Sequence, residues 1–100
     1  MEKDTLIGPL TTKQRLEGVE KLVEKTINEG GKLLTGGKRA ANFNKGFFFE
    51  PTIFDEIKDN FTIMKEEPFG PLVPLLTFKD FDEVVERAND NDLGLCSYIY

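Results

Sequence analysis

Lys65-Glu66-Glu67-Pro68-Phe69-Gly70-Pro71, followed at once by the apolar run Leu72 to Phe78, decides how this chain is read. Pro71 pushes Gly70 out of the helical region, and Pro68 does the same to Glu67. Gly70 adds the freedom needed for a turn or for close backbone approach. The run that follows reads as a strand, and Pro74 within it marks an edge or a bulge. The segment is therefore a rigid turn that presents one carboxylate and one ring just before a strand. Residue types alone leave two readings open. One is a charged, solvated turn with a buried phenylalanine. In the other, the carboxylate accepts hydrogen bonds from two neighbouring sugar hydroxyls, as acidic residues do in dinucleotide sites. A ring two residues on could then lie against a flat heterocycle.

Upstream of this turn, Met1 to Ile7 is a lead without periodicity, and Gly8-Pro9 breaks the backbone. Leu16, Val19, Leu22, Val23, Thr26 and Ile27 recur at helical spacing and predict a helix over 12–29. A capping box from Thr11 to Gln14 opens it, a Glu17–Lys21 pair supports its outer face, and Gly30-Gly31 ends it. Lys32 to Thr35 reads as a short strand closed by Gly36-Gly37. That glycine pair lacks the spacing of a phosphate-binding loop and reads as a plain turn. Lys38 to Gly46 is a polar surface loop in which Lys38, Arg39 and Lys45 form a small basic cluster. Phe47 to Phe54 is aromatic and strand-prone, its three leading phenylalanines assigned to the core, with Pro51 marking an edge or bulge. Phe61 to Lys65 is an irregular or helical turn that delivers the acidic motif.

Downstream, Asp80 and Glu83 have capping-box spacing, and Phe81, Val84, Val85 and Ala88 give a helix over 81–89 one apolar face. Asn89 to Gly94 is turn-rich, and Leu95 to Tyr100 reads as a final strand. Strand, helix and strand at this spacing predict a parallel β-α-β crossover. The fold class is accordingly α/β.

The net charge of −5 is unevenly placed. Residues 1–50 carry 9 basic and 7 acidic groups, a balance of +2, whereas residues 51–100 carry 4 and 11, a balance of −7. The acidic half argues against nucleic acid, since phosphate contacts need clustered lysine and arginine. No apolar run is long enough for a membrane span, and no charged start precedes an apolar core. The chain contains no histidine, which rules out Ser-His and Cys-His devices within it, and no metal site of the His and Cys type is expected. Cys96 is the one thiol. In the apolar context Leu95-Cys96-Ser97, with no basic neighbour, it is expected to be buried and inert rather than a nucleophile. A lone cysteine suits a reducing cytoplasm.

Several ordered motifs at consistent spacing carry a resemblance. Glu66-Glu67-Pro68-Phe69-Gly70-Pro71 is followed by a strand, a short helix and Ala88-Asn89, with Gly94-Leu95 a few residues on. Gly8-Pro9-Leu10, Gly36-Gly37 and Phe49-Glu50-Pro51-Thr52 precede it in order. From about Gly8 to Tyr100 the chain resembles the aldehyde dehydrogenase superfamily, whose members are several times longer, and the overall pattern is similar to semialdehyde dehydrogenases.

The resemblance implies that residues 1–100 are a fragment of a partial three-layer catalytic domain. The intact enzyme would oxidise an aldehyde to a carboxylic acid with NAD or NADP, through a thiohemiacetal and a thioester. It would do so in the cytoplasm, as a homo-oligomer. Glu67 matches the carboxylate that binds the nicotinamide ribose hydroxyls. Phe69 matches the ring beside the nicotinamide, and Glu66 a less defined neighbour. Leu93 stands where many members have an aromatic residue. No catalytic residue carries over: the family's Gly-Gln-x-Cys nucleophile, its base and its cofactor domain lie upstream. The isolated chain is expected to be inactive and to bind no cofactor tightly. The other reading is a stand-alone, non-catalytic module that uses the inherited fold for binding or assembly.

Overall fold

The computed structural model describes residues 5–43 and 45–100. Met1 to Asp4 of the lead and Asn44 of the polar loop lie outside them. Helix α1, Lys13–Asn28, packs on a three-stranded sheet of β1 (Lys32–Thr35), β2 (Thr52–Asp55) and β3 (Leu72–Pro74). A 3-10 turn, Thr62–Met64, lies between β2 and β3, and helix α2, Phe81–Asn89, follows them. The sheet order is β1-β2-β3, with β1 antiparallel and β3 parallel to the central β2. The predicted α/β class holds, with a mixed sheet.

Helix α1 forms where apolar side chains recur every three or four residues, and that stripe is its buried face. Leu16, Val19, Leu22 and Val23 pack with Phe49, Phe54, Ile57, Phe61, Ile63 and Leu72 into one cluster. The predicted cap falls one residue early. Thr12, not Thr11, adopts the extended cap conformation and accepts the Arg15 N–H at 3.1 Å. Just upstream the Leu10 N–H donates to the Phe47 carbonyl at 2.8 Å, which ties the lead to the 47–49 segment before the helix begins. On the outer face Glu17 pairs with Lys13 at 3.6 Å instead of with Lys21. At the other end Gly30, at φ 106°, donates to the Ile27 carbonyl, and Gly31 donates to the Thr26 carbonyl. These two bonds form a Schellman motif, and the positive φ makes glycine the residue that fits.

Strand β2 is central. Its side chains alternate, with Thr52 and Phe54 fully buried under α1. The Thr52 hydroxyl is satisfied twice, accepting the Gly37 N–H and donating to the Glu50 carbonyl, each at 2.8 Å. The predicted aromatic strand is thus shorter. It begins only after Pro51, and Phe49 makes a single bridge to Arg39. The bulge predicted there lies instead on β1, where the register slips between Leu33 and Thr35. Pro74 pairs with Phe54 at the sheet's outer strand, and the next N–H, that of Leu75, donates to the Phe54 carbonyl. Proline is tolerated there because its absent donor faces away from the ladder.

Two further expectations are corrected. The basic cluster of the 38–46 loop is dispersed: Arg39 grips Glu20 with two hydrogen bonds of 2.6 and 2.7 Å, and Lys38 approaches Glu50. Helix α2 forms over the predicted range with its apolar stripe, on which Val84 is half-buried and Phe81 and Val85 are exposed. Asp80 does cap α2, accepting the Glu83 N–H, while the Glu83 carboxylate reaches back to the Lys79 N–H. Finally, Leu95 to Tyr100 is not a strand. Its backbone finds no neighbouring strand among the described residues, so the parallel pair is β2–β3 rather than a pair flanking α2.

One carboxylate ties the C-terminal end of α1 to the crossover between β2 and β3. Glu29 accepts the Thr62 hydroxyl at 2.6 Å and the Thr62 N–H at 2.9 Å. The hydroxyl bond, then the backbone bond, holds its pKa below the ordinary 4.5. A depressed carboxylate stabilises the fold above its unfolded-state pKa and loses that contribution as pH falls through the folded value. Urea midpoints followed from neutral pH to below 4.5 should therefore fall less steeply in Glu29→Gln than in the parent chain. Coincident pH profiles would contradict the role given to Glu29.

Candidate functional site

The acidic turn is fastened at both ends. Upstream, the Thr62–Met64 turn closes with the Lys65 and Glu66 N–H groups donating to the Thr62 carbonyl, and Glu29 holds Thr62 in turn. Downstream, the Leu72 N–H donates to the Gly70 carbonyl and the Thr52 N–H donates to the Pro71 carbonyl, both at 2.8 Å. The turn thus runs directly into β3 and is bonded to the first residue of β2.

Its floor is α1. A Cβ on Gly70 would stand 2.7 Å from Cγ2 of Val19, which is itself buried. Only glycine lets the backbone come this close to the helix. With Pro68 half-buried and Gly70 seated, Glu66, Glu67 and Phe69 are exposed. Among the described residues no cation pairs with either glutamate. Phe69 has φ 43°, a left-handed backbone that costs a non-glycine residue about 1–3 kcal/mol. Its ring is 66% exposed, so the reading of this residue as a buried phenylalanine does not hold. An unfavourable backbone that directs a large apolar ring outward is a feature of working sites more than of packing.

The sequence reading missed one neighbour. The Arg15 guanidinium lies over the Phe69 ring, 5.1 Å from its centroid. Arg15 stands four residues before Val19, on the same side of α1, but nothing in the sequence places that side beneath the turn. Leu93 lies in the exposed loop after α2, its N–H bonded to Asn91 Oδ1 at 2.8 Å. A hollow of about 960 Å³ lies elsewhere. It is an open apolar trough beside Ile7, Phe43, Phe48 and Pro51, and the carboxylate chemistry points to the turn instead. No group of three or more His, Cys, Asp or Glu able to hold a metal occurs among the described residues, and no helix of them is long and apolar enough to cross a membrane.

Cys96 is exposed, contrary to expectation, because the strand that was to bury it does not form. Its sulfur lies 3.7 Å from the Tyr98 hydroxyl.

The fold is α/β, and the turn presents an exposed carboxylate and an exposed ring beside α1 and β2. The sequence model of the aldehyde dehydrogenase family matches residues 1–100, and the chain belongs to that family. It is 43% identical, over 99% of its length, to 21% of the 3,6-anhydro-alpha-L-galactose dehydrogenase of Vibrio sp. strain EJY3. It is 36% identical, again over 99%, to 20% of succinate-semialdehyde dehydrogenase [NADP(+)] 2 of Schizosaccharomyces pombe. A solved structure of the Bacillus cereus aldehyde dehydrogenase in complex with NAD+ is 45% identical with a TM-score of 0.87, over 95% of this chain and 19% of that one. The chain spans about a fifth of the length of the curated relatives it matches.

Two outcomes test this geometry. Gly70→Ala should destabilise the chain by about 1–3 kcal/mol through overpacking against Val19. Combined with Val19→Ala, the cost should fall about 1 kcal/mol short of the sum of the single changes. Strict additivity in urea denaturation would mean that the turn does not rest on Val19. For Cys96, a thiol reagent should label the native and the urea-unfolded 100-residue chain at similar rates, and strong native protection would restore the buried assignment.

Proposed function

We propose that residues 1–100 supply the nicotinamide-side wall of the cofactor site in an NAD(P)-dependent aldehyde dehydrogenase that oxidises an aldehyde to a carboxylic acid. The observation that carries this reading is the clamped turn, with a Glu67 carboxylate that pairs with no cation among the described residues and an outward ring on a left-handed backbone at Phe69. The donor set fits the cofactor. A carboxylate free of ion pairs has lone pairs for two adjacent ribose hydroxyls, and an exposed ring offers a face to a flat heterocycle. The cofactor, when bound, supplies the hydride acceptor.

The work of this chain is placement. Glu67 accepts the two hydroxyl hydrogen bonds and fixes the sugar. Phe69 restricts the tilt of the attached ring and excludes water from its side. Because α1 and β2 hold the turn between them, its backbone is already in place when the cofactor arrives. Family membership and the names of the NAD+- and NADP-using relatives support the cofactor class. The succinate-semialdehyde relative supports a semialdehyde substrate. A cytoplasmic homo-oligomer is the form in which we propose the whole enzyme works. Exposed apolar residues on the sheet, such as Val73 and Leu75, supply surface for contacts within or between subunits. The thiolate and base of the reaction are assigned to other parts of the whole enzyme, since Cys96 stands exposed in an acidic half of the chain with no histidine as partner.

Single-turnover NADH formation in the intact enzyme tests this. Glu67→Gln keeps the shape but weakens a charge-assisted hydrogen bond by about 1–2 kcal/mol, so hydride transfer should slow roughly tenfold while aldehyde KM changes little. Glu66→Gln should do much less. If Glu66→Gln is the slower variant, the roles within the pair are reversed, and if neither slows, the turn is not part of the cofactor wall. Run alongside, the 100-residue chain by itself should reduce no cofactor above background.

A further inference from the structure

We propose that Arg15 is a positioning residue for Phe69: its guanidinium holds the ring in the orientation that the cofactor wall requires. The proposal rests on the reading of Phe69 given above and goes beyond it in naming what fixes the ring.

Phe69 needs such a partner. The residue is two-thirds exposed, and its backbone sits at φ 43°, so neither core packing nor backbone preference fixes the side chain. Pro68 and Gly70 position the Cα but leave the side-chain torsions free. The guanidinium at 5.1 Å from the centroid lies within the range at which a cation is attracted to the negative face of a ring. Arginine suits this role better than lysine, because its plane stacks and its charge is more weakly hydrated.

Arg15 is also placed for the task. The Thr12 hydroxyl accepts the N–H of Arg15 itself, so the side chain leaves from a capped and ordered first turn. Four residues on, Val19 supports Gly70, and the helix therefore sets both the height of the turn and the position of the cation above it. The other two arginines have different duties. Arg39 forks onto Glu20, and Arg87 binds Asp59, Glu83 and the Thr77 carbonyl. Among the described residues Arg15 pairs with no carboxylate, and the nearby Glu17 is taken by Lys13. Among the described residues its charge is thus directed at the ring and not at an acid.

A cation over an exposed ring shifts a conformational equilibrium by about two- to fivefold. Two measurements test the assignment. In NMR spectra of the 100-residue chain, the Arg15 side-chain protons should carry an upfield ring-current shift that disappears in Phe69→Leu. In the intact enzyme, Arg15→Met should slow single-turnover hydride transfer about threefold with aldehyde KM unchanged, Arg15→Lys should recover part of the loss, and Arg15→Met should have no further effect in a Phe69→Leu background. Absence of the ring-current shift overturns the proposal, as does an Arg15→Met effect of equal size with and without Phe69. Slowing in Phe69→Leu but not in Arg15→Met defeats this proposal alone. A wild-type rate in Phe69→Leu defeats the reading of the cofactor wall, and this proposal with it.

Discussion

Phe54 has no exposed surface, and most of the chain is placed by what encloses it. It sits on the central strand, so β1 and β3 must pair on either side of it, and the apolar stripe of α1 must cover it from above. Removing the ring would leave a cavity between α1 and the central strand. Burying a side chain of this size contributes about 1.5–3 kcal/mol. For a chain of 100 residues, whose total stability is a small difference between large terms, that is a substantial share.

The candidate site inherits its rigidity from the same packing. Val19 serves two surfaces, helping to fill the cluster around Phe54 and supporting the backbone of Gly70. Thr52 is likewise shared, its side chain closing the Gly36-Gly37 turn and its N–H holding Pro71. The acidic turn has no core of its own and borrows order from α1 and β2. This is how a segment with three exposed functional candidates keeps a single conformation, including a residue with an unfavourable φ.

Sequence reasoning located the elements governed by local chemistry. Helix α1 followed from its apolar spacing, its end from Gly30-Gly31, and the rigid turn from the two prolines around Glu67 and Phe69. What it missed depends on partners distant in the chain. Leu95 to Tyr100 has strand-prone residues, but a strand exists only where another strand satisfies its backbone, and no pattern within six residues specifies that partner. The burial of Cys96 failed with it. The apolar stripe of α2 was read correctly as a stripe, yet spacing reveals which side of a helix is apolar and not whether anything covers it. The stacking of Arg15 on Phe69 joins residues on opposite sides of two strands in sequence, and became legible only once α1 was seen to lie beneath the turn.

Helix α2 is held mainly by Arg87, through a fork to Asp59 and a bond to the Thr77 carbonyl, and it contributes no fully buried residue. Cooperativity in a folded chain follows shared burial, and α2 shares almost none. Amide protons of β2 and the middle of α1 then exchange with solvent only when the whole cluster opens, whereas those of α2 exchange through a local detachment that leaves the sheet intact. The two parts of the chain are then expected to differ in opening free energy, with the boundary just past Leu76, the last side chain that packs against the core.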